Sequence, residues 1–309
     1  MGVRGSVPTP ISIKQYQEKV KEAIGLAIAN HQNSPSQFKI DEFYASLPVE
    51  LRQPFGGNTT CLYVTTVSGK HLIFDMGTGI RELGNRMAPQ AFGGEGWNLH
   101  IFMTHTHWDH IMGWPFFKPA YSPKVNIQFY SCIQNLEERL RRQQHPEHFP
   151  VPFDAMASKK TFNQLENFQS FMIDELEVIP FPLVHPGACT GYKIKEHGKS
   201  LLFCTDVEYV LENEDFYNTV EPIIHGSDIL IIDGQYSSEE AVQKAGWGHT
   251  SMRAAYSFAS KAKIKTVVLT HHEPDYSDKH IIELSKKEIP SPIPDTKYIL
   301  GYEGLIIEI

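Results

Sequence analysis

Two periodicities divide the chain. Ile13, Tyr16, Val20, Ile24 and Ala27 recur at helical spacing, which predicts an amphipathic helix over 12–30. From Thr59 onward the pattern changes to short apolar and β-branched runs, at 59–67, 70–75, 99–104, 125–130, 171–182, 192–194, 200–204, 229–233, 266–270, 298–300 and 305–309. Such runs, bounded by Gly, Pro, Asn and Asp, predict strands. Helical stretches are interleaved at 80–87, 133–143, 250–261 and 279–287. Residues 1–10, 31–57 and 145–165 carry neither period and read as loops. No strand precedes the first Gly/Pro-rich stretch, as expected of a start that falls late. With no repeat or low-complexity linker, the pattern predicts one mixed α/β (α+β) domain over 1–309.

Composition narrows this picture only a little. The 309 residues are 41% hydrophobic and 21% charged, ordinary for a globular chain with a large core. A formal net charge of -8 argues against binding nucleic acid or anionic membrane through the whole surface. No apolar run is long enough to span a bilayer, and no secretory h-region opens the chain. Cys61, Cys132, Cys189 and Cys204 show no CxxC spacing and predict reduced, mostly buried thiols in a cytoplasmic protein. The 15 histidines are the informative feature, because several sit beside Asp or another His.

The densest group is His105-x-His107-x-Asp109-His110, directly after the apolar run 101–104. Three imidazoles and a carboxylate on one tight loop can diverge toward two ions. The donor set suits zinc, with manganese or iron as alternatives. A single histidine is more often a satisfied core or surface residue; the cluster is what points to a metal.

Thr104–His110 resembles the signature loop of the metallo-β-lactamase superfamily. Three later residues, each after an apolar run, resemble the remaining ligands of that family. By this resemblance His185 completes a first ion with His105 and His107, Asp206 bridges, and His271 completes a second ion with Asp109 and His110. His271 is preferred to its neighbour His272 because it follows the strand directly. Cys189 is expected to be a structural thiol near His185. The resemblance covers 58–271 and implies a four-layer αβ/βα sandwich with metals at one edge. Residues 11–54 depart from it and are expected to be an insertion serving as a lid or a dimer contact.

Gly248-His249-Thr250-Ser251 resembles the His-Ser/Thr motif of the ribonuclease Z and phosphodiesterase branch. There the histidine protonates the leaving oxygen, and Asp233 matches the carboxylate that orients it. A carboxylate beside an imidazole favours its protonated form and fixes its tautomer. The implied chemistry is attack by a hydroxide held between two ions, oriented by Asp109, with His249 as general acid. The Gly- and Thr-rich stretches 2–8, 56–60 and 75–79 also resemble a subgroup linked with cyclic-nucleotide phosphodiesterases. Asn58 and Thr78 are candidates to line its pocket. The expected substrate is a small phosphodiester, a 3′,5′-cyclic nucleotide first, with a base stacked on Trp108, Trp114, Phe116, Phe117 or Trp247. The short stretch from His185 to Asp206 leaves no room for the basic arm of tRNA-cutting relatives. Arg139, Arg141 and Arg142 lie among Glu, Pro and Phe. The alternative is therefore a ribonuclease Z-like tRNA 3′-processing endonuclease, and a third is a metal-holding binding protein with little turnover. A homodimer and no membrane contact complete the expectations.

Overall fold

A computed structural model describes residues 2–33, 38–210, 214–291 and 293–309. Five strands form the first sheet: β1 (Leu62–Thr65), β2 (His71–Phe74), β3 (Trp97–Phe102), β4 (Val125–Ser131) and β5 (Lys159–Gln164), in that order. Only the β1–β2 pair is antiparallel. Seven strands form the second: β6 (Phe171–Ile173), β7 (Leu176–Leu183), β8 (Cys189–Glu196), β9 (Lys199–Cys204), β10 (Ile229–Asp233), β11 (Thr266–Thr270) and β12 (Lys297–Leu300), ordered β12-β11-β10-β9-β8-β7-β6. Here β9 to β12 are parallel and β6 to β9 antiparallel.

Side chains alternate across each strand, so each sheet has two apolar faces to cover. Leu72, Phe74 and Phe102 from the first sheet meet Tyr192, Phe203, Ile231 and Val268 from the second in an inter-sheet core. The intervening Ile73, Leu99, Ile101 and Phe129 face outward against the helix Gly79–Gly93. Leu230, Ile232, Val267 and Leu269 likewise face outward, toward the helices Glu214–Ile224, Met252–Lys261 and Asp278–Glu288. The result is helices, sheet, sheet, helices, as the resemblance implies. Aromatic rings set the inter-sheet contact: Phe102 lies 5.1 Å from Phe74, 5.0 Å from Tyr130 and 5.4 Å from Tyr192 between centroids.

Several sequence expectations change. Residues 31–57 are not wholly irregular, since they contain the helices Ile40–Ser46 and Val49–Arg52. The supposed loop 145–165 ends in β5, whose Lys-Lys-Thr-Phe-Asn-Gln run offers one large apolar side chain. As the sheet's edge, it needs little more than Phe162 stacked 4.7 Å from Phe129. The helices Glu214–Ile224 and Ser238–Gln243 were not foreseen. The alternation at 305–309 produces no strand: Leu305 and Ile307 pack beside the inter-sheet core without a ladder partner. The N-terminal helix is Ile13–Asn33, and none of its residues is buried; Ile13, Tyr16, Val20, Ile24, Leu26 and Ile28 are exposed. No helix among the described residues is long and apolar enough to cross a membrane.

Because Phe102 contacts rings from both sheets, Phe102→Ala should destabilise the chain by about 3–5 kcal/mol. Urea unfolding checks this. A loss under about 1 kcal/mol would mean the two sheets close over the vacancy and do not depend on this ring.

Candidate metal centre

One edge of the sandwich collects the polar ends of six strands. In the first sheet β2 runs into Asp75, and β3 into His105–His110. In the second, β7 precedes His185, β9 precedes Asp206, β10 ends at Asp233 and β11 precedes His271. Parallel strands put all their C-terminal ends on one side, so residues distant in sequence converge there. Asp75, Asp206 and His271 leave their strands with φ of 58°, 64° and 57°. Non-glycine residues in this left-handed region cost of order 1–3 kcal/mol each and persist where the surroundings over-determine them.

Two groups of donor atoms form. His105, His107, His185 and Asp206 make one, and Asp109, His110, Asp206 and His271 the other; in each, the ligand atoms lie within 4.8 Å of one another. In the second group, His110 Nε2 lies 3.3 Å from Asp109 Oδ2 and 3.2 Å from Asp206 Oδ2. His271 Nε2 lies 3.1 Å from Asp109 Oδ2 and 3.2 Å from Asp206 Oδ1. In the first, His105 Nε2 and His185 Nε2 stand 3.5 and 3.7 Å from Asp206 Oδ2. Tetrahedral ligands at about 2.0–2.1 Å from an ion stand roughly 3.3 Å apart, so both groups have the right span. The unmet polar atoms agree. His105 Nε2, His110 Nε2 and Asp206 Oδ1 are buried with no hydrogen-bond partner. Orphaned donors and acceptors of this kind are costly unless something occupies the space between them. The cluster therefore fits divalent metal ions.

Charge within the cluster is strongly coupled. Burial disfavours ionisation of Asp206, but His110 and His271 outweigh it and hold its carboxyl well below the usual range. The same contest lowers Asp109, where His110 is the main opponent of burial. Burial works against charge on His110 and His271, yet Asp206 and Asp109 push both imidazoles up. His105, His107 and His185 go the other way, lowered chiefly by burial. Neutral imidazoles are the ligating form.

A second set of contacts orients the ligands. Asp75 Oδ2 lies 2.8 Å from His110 Nδ1, and the carboxylate also accepts from Thr104 N at 2.8 Å and Thr104 Oγ1 at 2.7 Å. Gln235 Oε1 is 3.1 Å from His271 Nδ1, and Gly248 O is 2.9 Å from His185 Nδ1. Each Nδ1 contact leaves Nε2 free for an ion. Ser6 N donates to Asp109 Oδ2 at 2.8 Å, bringing the N-terminal stretch to the site. Sequence reasoning missed these roles for Asp75, Gln235 and Ser6. Asp75 was hinted at by its position as the first polar residue after β2 and by its place in the stretch 75–79. Ser6 lies in the stretch 2–8 that the resemblance marks, without a role for its amide, and Gln235 carries no signal.

The other nominated residues divide. His249 Nδ1 and Asp233 Oδ2 are 3.4 Å apart, an ion-pair distance without an aligned hydrogen bond. Asp233 spends its oxygens on Val207 N at 3.2 Å and Thr250 N at 2.9 Å. His249 stacks on His271 with centroids 5.0 Å apart and meets His185 edge-on at 5.3 Å. The helix cap beside it is Ser251. Trp108 and Trp247 are 81% and 62% exposed, and Phe116 is exposed. Trp114 and Phe117 are fully buried core residues, so they leave the list of possible base platforms. Asn58 and Thr78 are tied to Glu303 and Thr59, which makes them braces of the neighbouring loops. His272 turns away from the cluster and bonds Gly301 O. Cys189 is a buried free thiol whose Sγ lies 3.7 Å from His105 Nδ1, so it backs a donor as well as filling space. All four cysteines are free.

Comparison with known proteins agrees with this fold. A family model described as a β-lactamase superfamily domain matches residues 70–272, well over half of the chain. A ribonuclease Z from Limosilactobacillus reuteri is 24% identical over 266 residues, covering 67% of this chain and 80% of that protein. Among solved structures, unliganded yeast PDE1 superposes with a TM-score of 0.57 at 16% identity, covering 84% of this chain and 95% of the other. A diphosphatase from the PhnP family gives 0.58 at 18% identity, covering 86% and 89%.

Metal content should follow the sharing of Asp206. Asp206→Ala should strip both ions on dialysis, whereas His185→Ala should strip one; elemental analysis per chain reads this out. Asp75→Asn, which keeps the shape but weakens the hold on His110, should lower affinity for one ion by about 10–100-fold. Full retention of both ions by Asp206→Ala would refute the shared-ligand geometry.

Proposed function

The chain belongs to the metallo-β-lactamase superfamily, and we propose that it is a two-metal phosphoric diester hydrolase acting on small phosphodiesters, 3′,5′-cyclic nucleotides first. On this reading, residues 1–309 form one hydrolase domain. His105, His107 and His185 would hold one ion and Asp109, His110 and His271 the other, with Asp206 common to both groups, and zinc is the expected metal. The observation that carries the reading is a further imidazole, His249, outside both donor groups yet packed on a member of each, with Asp233 behind it.

When bound, two divalent ions supply a water made nucleophilic at neutral pH and positive charge facing the phosphoryl oxygens. The chain's own residues do the rest. Asp109 lies against His110 and His271 and receives the Ser6 amide, so one carboxylate oxygen is fixed for binding an ion and orienting the attacking water. An alkoxide is a poor leaving group and needs a proton as it departs. Asp233 faces Nδ1 of His249, which leaves Nε2 to donate that proton. Exposed Trp108 sits inside the ligand loop, and exposed Trp247 lies two residues before His249; either ring offers a platform for a base.

The hairpin between His185 and Asp206 supports a small substrate. β8 and β9 are joined through His197 and Gly198 alone, with no protruding arm. Arg141 pairs with Glu137 and Asp154, and Arg142 with Glu138, so two of the three nearby cations are already neutralised. The competing reading, a ribonuclease Z-like endonuclease acting on tRNA 3′ ends, has the 24% identical relative in its favour. The exposed stripe Ile13, Tyr16, Val20 and Ile24 supports the insertion 11–54 as a contact between two copies. In that case the double substitution Val20→Asp, Ile24→Asp should halve the mass seen by light scattering; an unchanged mass removes the dimer contact.

The deciding experiment gives the metal-loaded protein a panel of 2′,3′- and 3′,5′-cyclic nucleotides beside a tRNA precursor. Turnover of the 3′,5′-cyclic substrates alone is expected; cleavage of the precursor alone would reverse the assignment. His249→Ala should keep its metals and lose about 10²–10⁴-fold in kcat on an alkoxide-leaving substrate. Unchanged turnover would remove His249 as the acid.

A further inference from the structure

Glu208 lies two residues beyond Asp206, outside both donor groups. Its carboxylate accepts the backbone N–H of Gly246 on both oxygens, each at 2.9 Å, and that of Gly248 on one, also at 2.9 Å. These donors flank Trp247, and His249 follows immediately. The loop's shape calls for such an anion. Gly246 and Gly248 have φ of 86° and 87°, a region open chiefly to glycine. The Gly246 and Gly248 N–H groups both turn toward Glu208, while that of Trp247 between them donates to Lys244 O at 3.1 Å.

Gly248 also ties the loop to the first donor group. Its carbonyl lies 2.9 Å from His185 Nδ1, and a Cβ placed on it would stand 2.1 Å from the same nitrogen. Around Glu208, backbone contacts continue the attachment. Glu208 N donates to Val184 O at 2.7 Å, Val207 N to Asp233 Oδ1 at 3.2 Å, and Tyr209 N to Thr250 Oγ1 at 2.9 Å. Residues 206–209 therefore run from the shared donor carboxylate to both sides of His249.

We propose that Glu208 is a positioning residue for the proton donor: its carboxylate holds the Gly246–Gly248 loop and so sets where His249 and Trp247 stand relative to the metal centre. The inference rests on the assignment of His249 as general acid. A loop with three glycine or tryptophan neighbours has little side-chain packing to hold it, as Trp247 is mostly exposed. Two backbone amides on one side-chain carboxyl group are the restraint that replaces packing.

The test compares wild type, Glu208→Gln and Glu208→Ala, all metal-loaded, on two diesters. Cyclic AMP releases a ribose alkoxide and needs the acid; bis(p-nitrophenyl) phosphate releases a stable phenolate and does not. Glu208→Ala should lose about 10–100-fold in kcat on cyclic AMP and less than about 3-fold on the aryl diester, with Glu208→Gln between. Both ions should stay bound. In a His249→Ala background the Glu208 change should add no further loss on cyclic AMP, since both act on one step. Amide exchange over 244–250 should rise about 10-fold in Glu208→Ala, a readout independent of turnover. Equal losses on both substrates, or loss of an ion, would overturn the proposal in favour of a role through His185. Unchanged exchange would show that Glu208 does not hold the loop. If wild type turns over neither diester, the phosphodiesterase reading fails, and the exchange result alone decides whether Glu208 shapes the loop.

Discussion

A carboxylate buried at the meeting edge of two sheets is the constraint from which the rest follows. Asp206 lies within 3.2–3.7 Å of ring nitrogens on His105, His110, His185 and His271. Removing an ionised carboxylate from water costs several kcal/mol, and only nearby positive charge offsets it. Asp206 and Asp109 in turn draw His110 and His271 up. A divalent ion in each donor group would supply that charge while leaving the imidazoles neutral. The unpartnered Nε2 atoms of His105 and His110 express the same need geometrically.

Two structural demands follow from keeping such a cluster in place. The strands must be rigid up to their last residue, and the inter-sheet rings around Phe74, Phe102, Tyr192 and Phe203 provide that rigidity directly beneath the site. The chain must then turn sharply, which Asp75, Asp206 and His271 do in left-handed conformations. Polar side chains tolerate this region better than β-branched ones. Strain and function share these positions because the hydrogen bonds and donor contacts that use the side chains also hold the backbone.

The surroundings of His249 are organised on a different principle. Asp233 bonds the backbone of Val207 and Thr250 and only approaches His249, so it acts as a structural knot and a charge at once. Thr250 closes the knot from the other side, donating its hydroxyl to Val207 O and receiving Tyr209 N. The glycine-rich loop before His249 is held by directed bonds to the carboxylates of Glu208 and Asp233.

What the sequence determined by itself was local and periodic. Short apolar and β-branched runs located most strands, and the spacing of His105, His107, Asp109 and His110 identified a donor cluster, because three imidazoles and a carboxylate so close together have few other uses. His185, Asp206 and His271 became legible only through their place after apolar runs and the family resemblance. Tertiary structure decided what depends on long-range proximity or on direction. It distinguished exposed Trp108 and Trp247 from buried Trp114 and Phe117, though all four look alike in the chain. It turned His272 toward Gly301 while His271 entered the cluster, since successive residues leave a strand in opposite directions. It also brought in Asp75, Gln235 and Glu208, whose partners lie 35, 36 and 38–40 positions away. Periodicity reports which face a residue occupies; only the folded arrangement of both sheets sets what that face meets.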